Sequence, residues 1–285
     1  MVYLQIIIIF ILIFIYIIIQ LQLYNNITIC LCTIGKKENL YVREYVNYYS
    51  NLGIDKLFIY DNNDKNDERF DLVLKDYIEN GFVKIIDFRG QLAVQTEAME
   101  ECRKNNYKNF DWLMFFDMDE YLFLRNYSSI KVFLDQKIFS KCERIQFNWF
   151  IHTDNNLIYY DNRSLLERFS EKKHIYNNKQ LRGSNVIKSI IRGNIDIKLI
   201  NIHYINSNLI SCDGFGKIQK IYGIKTNESD HFFYYIDHYW SKSTEEFVNK
   251  LLKGDVVLGY NNRENNMKRI RMYFSYNKIT EDRVN

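Results

Sequence analysis

The sequence predicts an α/β fold, a mostly parallel sheet flanked by helices. Three observations predict it. Apolar runs of strand length alternate with helical periodicities across residues 27–116, the pattern of βαβ units. These runs stop at Gly35, at Asp61–Asp64 and at Asp117–Glu120, residue types that end strands in turns. Apolar residues make up 47% of the chain and aromatic residues 16%, enough to fill a large core. A net charge of +3 offers no basic footprint, so nucleic acid is not an expected partner. The absence of proline reads as coding bias.

The elements follow in order. Ile27 to Ile34 is an apolar run ending at Gly35, a buried parallel strand. Glu38 to Asn51 carries Leu40, Val42, Tyr45, Val46 and Tyr49 at helical spacing and stops before Gly53. Lys56 to Tyr60 is a second strand. Glu68 to Asn80 places Phe70, Val73, Leu74, Tyr77 and Ile78 on one helix face, with Gly81 as the stop. Phe82 to Asp87 is a third strand, Leu92 to Asn105 a third helix, and Asp111 to Phe116 a fourth strand. Beyond residue 140 the pattern turns β-like: Arg144 to Phe150, Asn185 to Ile191 and Ile195 to Tyr204 alternate, and Thr244 to Leu252 is a last amphipathic helix. Right-handed crossovers put the C-terminal ends of parallel strands on one sheet edge, where ligands bind. The two acidic clusters, Asp61–Asp64 and Asp117–Glu120, should therefore line one cleft.

Met1 to Ile19 is apolar except for Gln5, and Ile6 to Ile19 is unbroken. About 20 residues of helix span a bilayer core, and no small-residue cleavage site follows. Residues 1–24 are expected to be a retained signal-anchor, making the protein single-pass, with a lumenal domain in a Golgi- or ER-type endomembrane if it is type II. The five cysteines leave one over and show no CxxC spacing; Cys30 and Cys32 would share a strand face as small buried thiols. Sequons at Asn26, Asn126, Asn162 and Asn227 would suit a lumenal chain.

Asp117-Met118-Asp119 closes an apolar strand, so two carboxylates are placed to share a divalent cation. Hard oxygen ligands suit Mn²⁺ or Mg²⁺ with open positions for phosphate. A second cluster is Asp237-His238-Tyr239-Trp240-Ser241-Lys242-Ser243, in which His238 is a plausible third ligand. His152 and His203, each at the end of an apolar run, are further candidates.

These residues carry a resemblance. The run Cys32 to Val46, then Leu52-Gly53-Ile54 and Ile59-Tyr60-Asp61-Asn62, looks like the opening of the family 92-like glycosyltransferases, GT-A enzymes related to glycosyltransferase family 2. The likeness resumes at Trp112 to Tyr121, at Phe147 to Phe150, at Lys188 to Arg192 with His203, and at His238 to Ser243 with Glu246, Phe247 and Lys250. It implies a GT-A, Rossmann-like domain over 27–260, with 261–285 as a polar tail. It also implies transfer from a nucleotide-diphosphate sugar, a UDP-sugar first, to a glycan or glycoprotein acceptor, with Mn²⁺ or Mg²⁺ as cofactor. Galactose is a candidate sugar and inversion the candidate stereochemistry. By carry-over Asp61 contacts the nucleoside, Asp117 reaches the ribose or the metal through water, Asp119 binds the metal, and His238 is its third ligand. Lys188, Arg192 and Lys242 are candidates for charge at the diphosphate. Glu167, in a Glu-Arg-Phe segment like the family's, is the first candidate base; Asp154 and Asp255 follow.

Departures fall on Tyr45, where the family has tryptophan, and on Ile151 to Asn155, where it has a glycine-rich segment. Two rival readings remain: an inactive GT-A-like domain that binds glycans or partners at a membrane, and a haloacid-dehalogenase-type phosphatase with Asp117 as nucleophile.

Overall fold

A computed structural model describes residues 2–24, 27–170, 176–177, 180–181, 186–199, 203, 208–222, 225–226, 230, 232–253 and 263–277. In chain order the elements begin with α1 (Val2–Tyr24), β1 (Ile29–Gly35), α2 (Asn39–Leu52), β2 (Lys56–Asp61), α3 (Phe70–Val73), α4 (Lys75–Glu79) and β3 (Val83–Asp87). There follow α5 (Gln95–Asn106), β4 (Trp112–Phe115), β5 (Glu120–Leu124), α6 (Ile130–Leu134), β6 (Arg144–Ile151) and α7 (Leu165–Arg168). The short β7 (Tyr176–Asn177) and β8 (Gln180–Leu181) precede β9 (Ile187–Arg192). The chain continues with β10 (Ser211–Cys212), β11 (Ile221–Tyr222), β12 (Lys225–Thr226), β13 (Tyr234–His238), α8 (Thr244–Leu252) and α9 (Arg263–Tyr276).

The main sheet runs β3-β2-β1-β4-β9-β6-β13-β5, with β10 beside β6. Its first four strands are parallel, as the βαβ pattern predicts. The whole sheet is mixed: β9 is antiparallel to both β4 and β6, and β5 to β13. Seven of its nine strands still run the same way, so the sheet is mostly parallel, as expected, but not purely so. The reversal at β5 follows from its start: Glu120 comes directly after the Asp117–Asp119 turn that closes β4, with no helix between to carry the chain back.

Alternate side chains of β1 serve two cores. Ile29 and Leu31 join the tyrosine face of α2 (Tyr41, Tyr45, Tyr49), and Cys30 and Cys32 face Ala98, Met99 and Cys102 of α5. Cys32 is not a free thiol: it is bonded to Cys102, and Cys142 to Cys212. Cys30 alone stays free and buried, and burial pushes its thiol far above the ordinary range.

Other elements shift. The helix expected over 68–80 breaks into α3 and α4, because Leu74 leaves the helical region at φ −111° while its side chain stays buried. The third helix starts at Gln95 rather than Leu92, after Ala93 takes a left-handed φ of 56°. Among the described residues of 195–204 there is no extended strand. Residues expected as a polar tail contain α9, whose Tyr273 stacks on Phe247 at 4.2 Å.

The apolar N-terminus is helical, and its described side chains, 3 and 5–15, are exposed. Among the described residues no helix is long and apolar enough to cross a membrane.

Candidate active site

Strand direction decides what meets at the sheet edge. β1, β2, β4, β6 and β13 all finish there, bringing Gly35, Asp61, the Asp117–Asp119 turn, His152 and His238. The reversed strands begin there, so β5 contributes Glu120 and β9 contributes Lys188. The same reversal carries Arg192 to the opposite edge, where it pairs in register with Trp112, lies 4.2 Å over that ring and donates to the carbonyls of Cys142 and Phe139. Arg192 is a structural cation, and the expectation that it serves the diphosphate is corrected.

The two aspartates sit in a turn closed by Glu120 N–H donating to the Asp117 carbonyl at 3.1 Å. Met118 between them packs against Gly35: a Cβ on that glycine would stand 2.5 Å from the Met118 sulfur. Asp117 accepts from Gln95 Nε2 at 2.9 Å and from Lys188 Nζ at 2.7 Å. Lys188 is fully buried and also lies 3.1 Å from Glu120. Burial lowers the Lys188 pKa, but Asp117 and Glu120 outweigh it and hold the ammonium above its ordinary range. Glu120 is pushed well up, first by burial and then by both aspartates, against the pull of Lys188.

Asp119 presents one oxygen to His238 Nε2 at 3.5 Å and the other to Lys250 Nζ at 2.8 Å. Burial works to raise this carboxyl; Lys250 and His238 overcome it and hold it well below the carboxylate range. His238 is buried and packs 4.3 Å from Trp149. Burial lowers its pKa despite Asp119, so its ring is neutral at pH 7, as a metal ligand must be. Among the described residues its Nδ1 has no hydrogen-bond partner.

Beyond Lys250 opens a cleft of about 470 Å³ between the start of α2 and the face of α8, lined by Glu38, Tyr41, Lys242, Glu246, Lys250 and Lys253. Lys242 takes a left-handed φ of 53° and sits 3.3 Å from Glu38 and 3.3 Å above the Tyr41 ring. Burial, against the pull of Glu38, lowers its pKa. Lys253 pairs with the same glutamate.

The remaining expected residues have other tasks. Asp61 is buried, accepts from Asn63 N–H and Nδ2 at 3.0 and 2.7 Å, and lies 4.0 Å from Arg89. Glu167 is exposed and closes a capping box with Ser164 at the start of α7, so it faces solvent instead of the cleft. Its neighbour Arg168 turns inward to a buried bidentate pair with Glu246 at 2.6 and 2.9 Å. Asp154 accepts from Tyr273 Oη at 2.8 Å and from Asn156 N–H. Asp255 lies outside the described residues. His152 binds Asp237 at 2.7 Å and His203 the Ile187 carbonyl at 2.8 Å; both are held by other protein groups. Asp117 has both oxygens engaged, which does not suit the nucleophile of a phosphatase.

Sequence reading gave no role to Gln95, Glu120, Lys250, Glu38 or Lys253. The spacing of Glu246, Lys250 and Lys253 at i, i+4 and i+7, along α8 and its C-cap, marks one helix face and was the available signal.

Among the described residues no three His, Cys, Asp or Glu side chains gather into a metal cage. A small divalent cation takes few protein ligands and completes its shell with phosphate and water. Asp119 and His238, 3.5 Å apart, fit that two-point role.

The model of glycosyltransferase family 92 matches residues 25–270. A glycosyltransferase family 92 protein of Ricinus communis is 28% identical over 96 residues, covering 34% of this chain and 17% of that protein. One of Oryza sativa subsp. japonica is 27% identical over 111 residues, covering 35% and 19%. The matched stretch thus spans under a fifth of either relative. Among solved structures, S. aureus TarS 1–349 in complex with UDP-GlcNAc aligns at a TM-score of 0.39 and 10% identity, over 90% of this chain and 78% of that one. The same protein with UDP gives 0.41 and 11%, over 90% and 77%.

Proposed function

The chain belongs to glycosyltransferase family 92, and on that premise we propose that it is a metal-dependent GT-A transferase. It moves a sugar from a nucleotide-diphosphate sugar, a UDP-sugar before others, to a glycan or glycoprotein acceptor. The observation that supports this reading is the convergence of Asp61, Asp117, Asp119 and His238 on one sheet edge beside a lysine-lined cleft. Asp119 and His238 would hold the cation, which supplies charge neutralisation at the departing diphosphate. Lys188 fixes Asp117 in place and offsets the buried Glu120, leaving Asp117 to act on ribose or metal through water. Lys242 lines the cleft and would offer positive charge to a diphosphate bound there. Galactose is the first sugar to try, with inversion at its anomeric carbon. Glu167 and Asp154 are committed elsewhere, so Asp255 is the candidate base.

Membrane attachment through residues 1–24 is part of the same proposal, supported by the unbroken apolar run Ile6 to Ile19. The two disulfides suit an oxidising lumen of the ER–Golgi type.

The test is release of nucleoside diphosphate from a panel of UDP- and GDP-sugars with Mn²⁺. Asp119→Ala should reduce turnover of the accepted donor at least a hundredfold while retaining the wild-type unfolding transition. Equal turnover in the two proteins would remove the metal-dependent reading.

A further inference from the structure

Asp119 is shared between two partners of different kinds. One oxygen faces the imidazole of His238 at 3.5 Å, the other an ammonium at 2.8 Å. That ammonium belongs to Lys250, 131 residues further along the chain and near the end of α8. It is held a second time by the Trp240 carbonyl at 3.0 Å and lies 5.5 Å from the Trp240 ring. Lys250 therefore stands where a positive charge is wanted beside this carboxylate. We infer that Lys250 is a tethered counter-ion of Asp119: it neutralises the carboxylate while no divalent cation is bound, and it must withdraw before one binds between Asp119 and His238.

The surroundings suit a movable charge on a fixed mount. The start of α8 is pinned by the Ser243–Glu246 capping box and by the buried pairing of Glu246 with Arg168 and Tyr41. Lys250 lies one helical turn beyond Glu246, so the helix sets its origin and only the four-carbon stem is free to swing. Its side chain lines the 470 Å³ cleft, so a displaced ammonium has somewhere to go. Two cations beside one carboxylate repel each other, so metal and lysine compete. An anionic diphosphate in the cleft would draw the lysine away and favour the metal. The lysine would then make cation binding depend on the donor. This last step rests on the transferase reading; the competition itself does not. Lys250 is a positioning residue on this account.

The test uses the full chain and Mn²⁺ alone, read by the electron paramagnetic resonance signal of free Mn²⁺, with no nucleotide present. Lys250→Met keeps the length of the stem and removes its charge; Lys250→Arg keeps the charge. The Met variant should bind Mn²⁺ at least tenfold tighter than the wild type, the Arg variant like the wild type, and Asp119→Asn should abolish binding in both backgrounds. Adding UDP should tighten Mn²⁺ binding more in the wild type than in Lys250→Met. Near-ultraviolet circular dichroism reports folding, and the Arg variant carries the comparison if the Met variant does not fold: Asp119-dependent Mn²⁺ binding weaker than wild type overturns the inference. Equal Mn²⁺ affinity in the wild type and Lys250→Met overturns it too, as does an Arg variant that binds as tightly as the Met variant. Turnover lost in Asp119→Ala alongside equal Mn²⁺ affinities would remove the role of Lys250 and leave the transferase standing. Turnover that survives Asp119→Ala removes the metal-dependent reading whatever the Mn²⁺ affinities.

Discussion

Glu167 and Arg168 are neighbours with opposite fates. The motif that drew attention to this segment names both, yet a four-residue helix turns one to solvent and the other inward. Sequence shows residue type and local spacing; it does not show which of two adjacent side chains a short helix buries. Glu167→Ala should therefore cost only the helix cap, about 1 kcal/mol by chemical denaturation, with donor turnover kept. Arg168→Ala leaves Glu246 buried without its cation, and should cost about 3–5 kcal/mol. Glu246 also sets an acid limit. Burial would raise its carboxyl, but Arg168, Ser243 and Tyr41 pull it down to about 2. A carboxylate depressed in the folded state contributes stability above its unfolded pKa, near 4.5, and that contribution disappears as pH falls from there toward 2. Stability measured across this window should drop with acid, and the slope should flatten in Glu246→Gln.

At the scale of elements, the parallel half of the sheet was legible because β1, β2 and β3 are each followed by helix. β1, β2, β3 and α2 fall within two residues of their expected bounds. The reversed strands were not legible, because alternation marks a strand without its direction. Direction is what separates Lys188 from Arg192, four residues apart on β9 yet at opposite edges of the sheet. The disulfides were hidden for a related reason: both link residues 70 apart, joining β1 to α5 and the segment just before β6 to β10. Closing a loop of that length stabilises by about 4 kcal/mol in the chain-entropy account. Replacing Cys142 and Cys212 together by serine should lower the thermal midpoint by several degrees; an unchanged midpoint would show that this bridge does not contribute. α9 adds a third tie. Tyr273→Ala removes both the stack on Phe247 and the hydroxyl held by Asp154 and Thr244, and should cost about 3 kcal/mol.

For the whole molecule, the edge that sequence identified is the edge the fold delivers, since an acidic cluster closing a parallel strand leaves little choice about where it emerges. Lys188 was legible as a nearby cation, but its pairing with Asp117 and that of Lys250 with Asp119 were not, because the two lysines arrive from a reversed strand and a distant helix. Ligand linkage tests the assembled edge. Mn²⁺ with UDP at a hundredfold excess over its dissociation constant should stabilise the fold by about 2.7 kcal/mol in a thermal scan, and Asp119→Ala should abolish the metal-dependent part of that shift. The contact of Gly35 with Met118 adds a structural constraint on the same edge. Because β1 has no side chain there, the end of one strand acts as a stop against which the loop between the aspartates is seated. A methyl group at position 35 would force the end of the buried Met118 side chain to move, and Met118 is the residue between the two carboxylates. Gly35→Ala should therefore weaken Mn²⁺ binding while every ligand keeps its identity, a defect of alignment and not of chemistry.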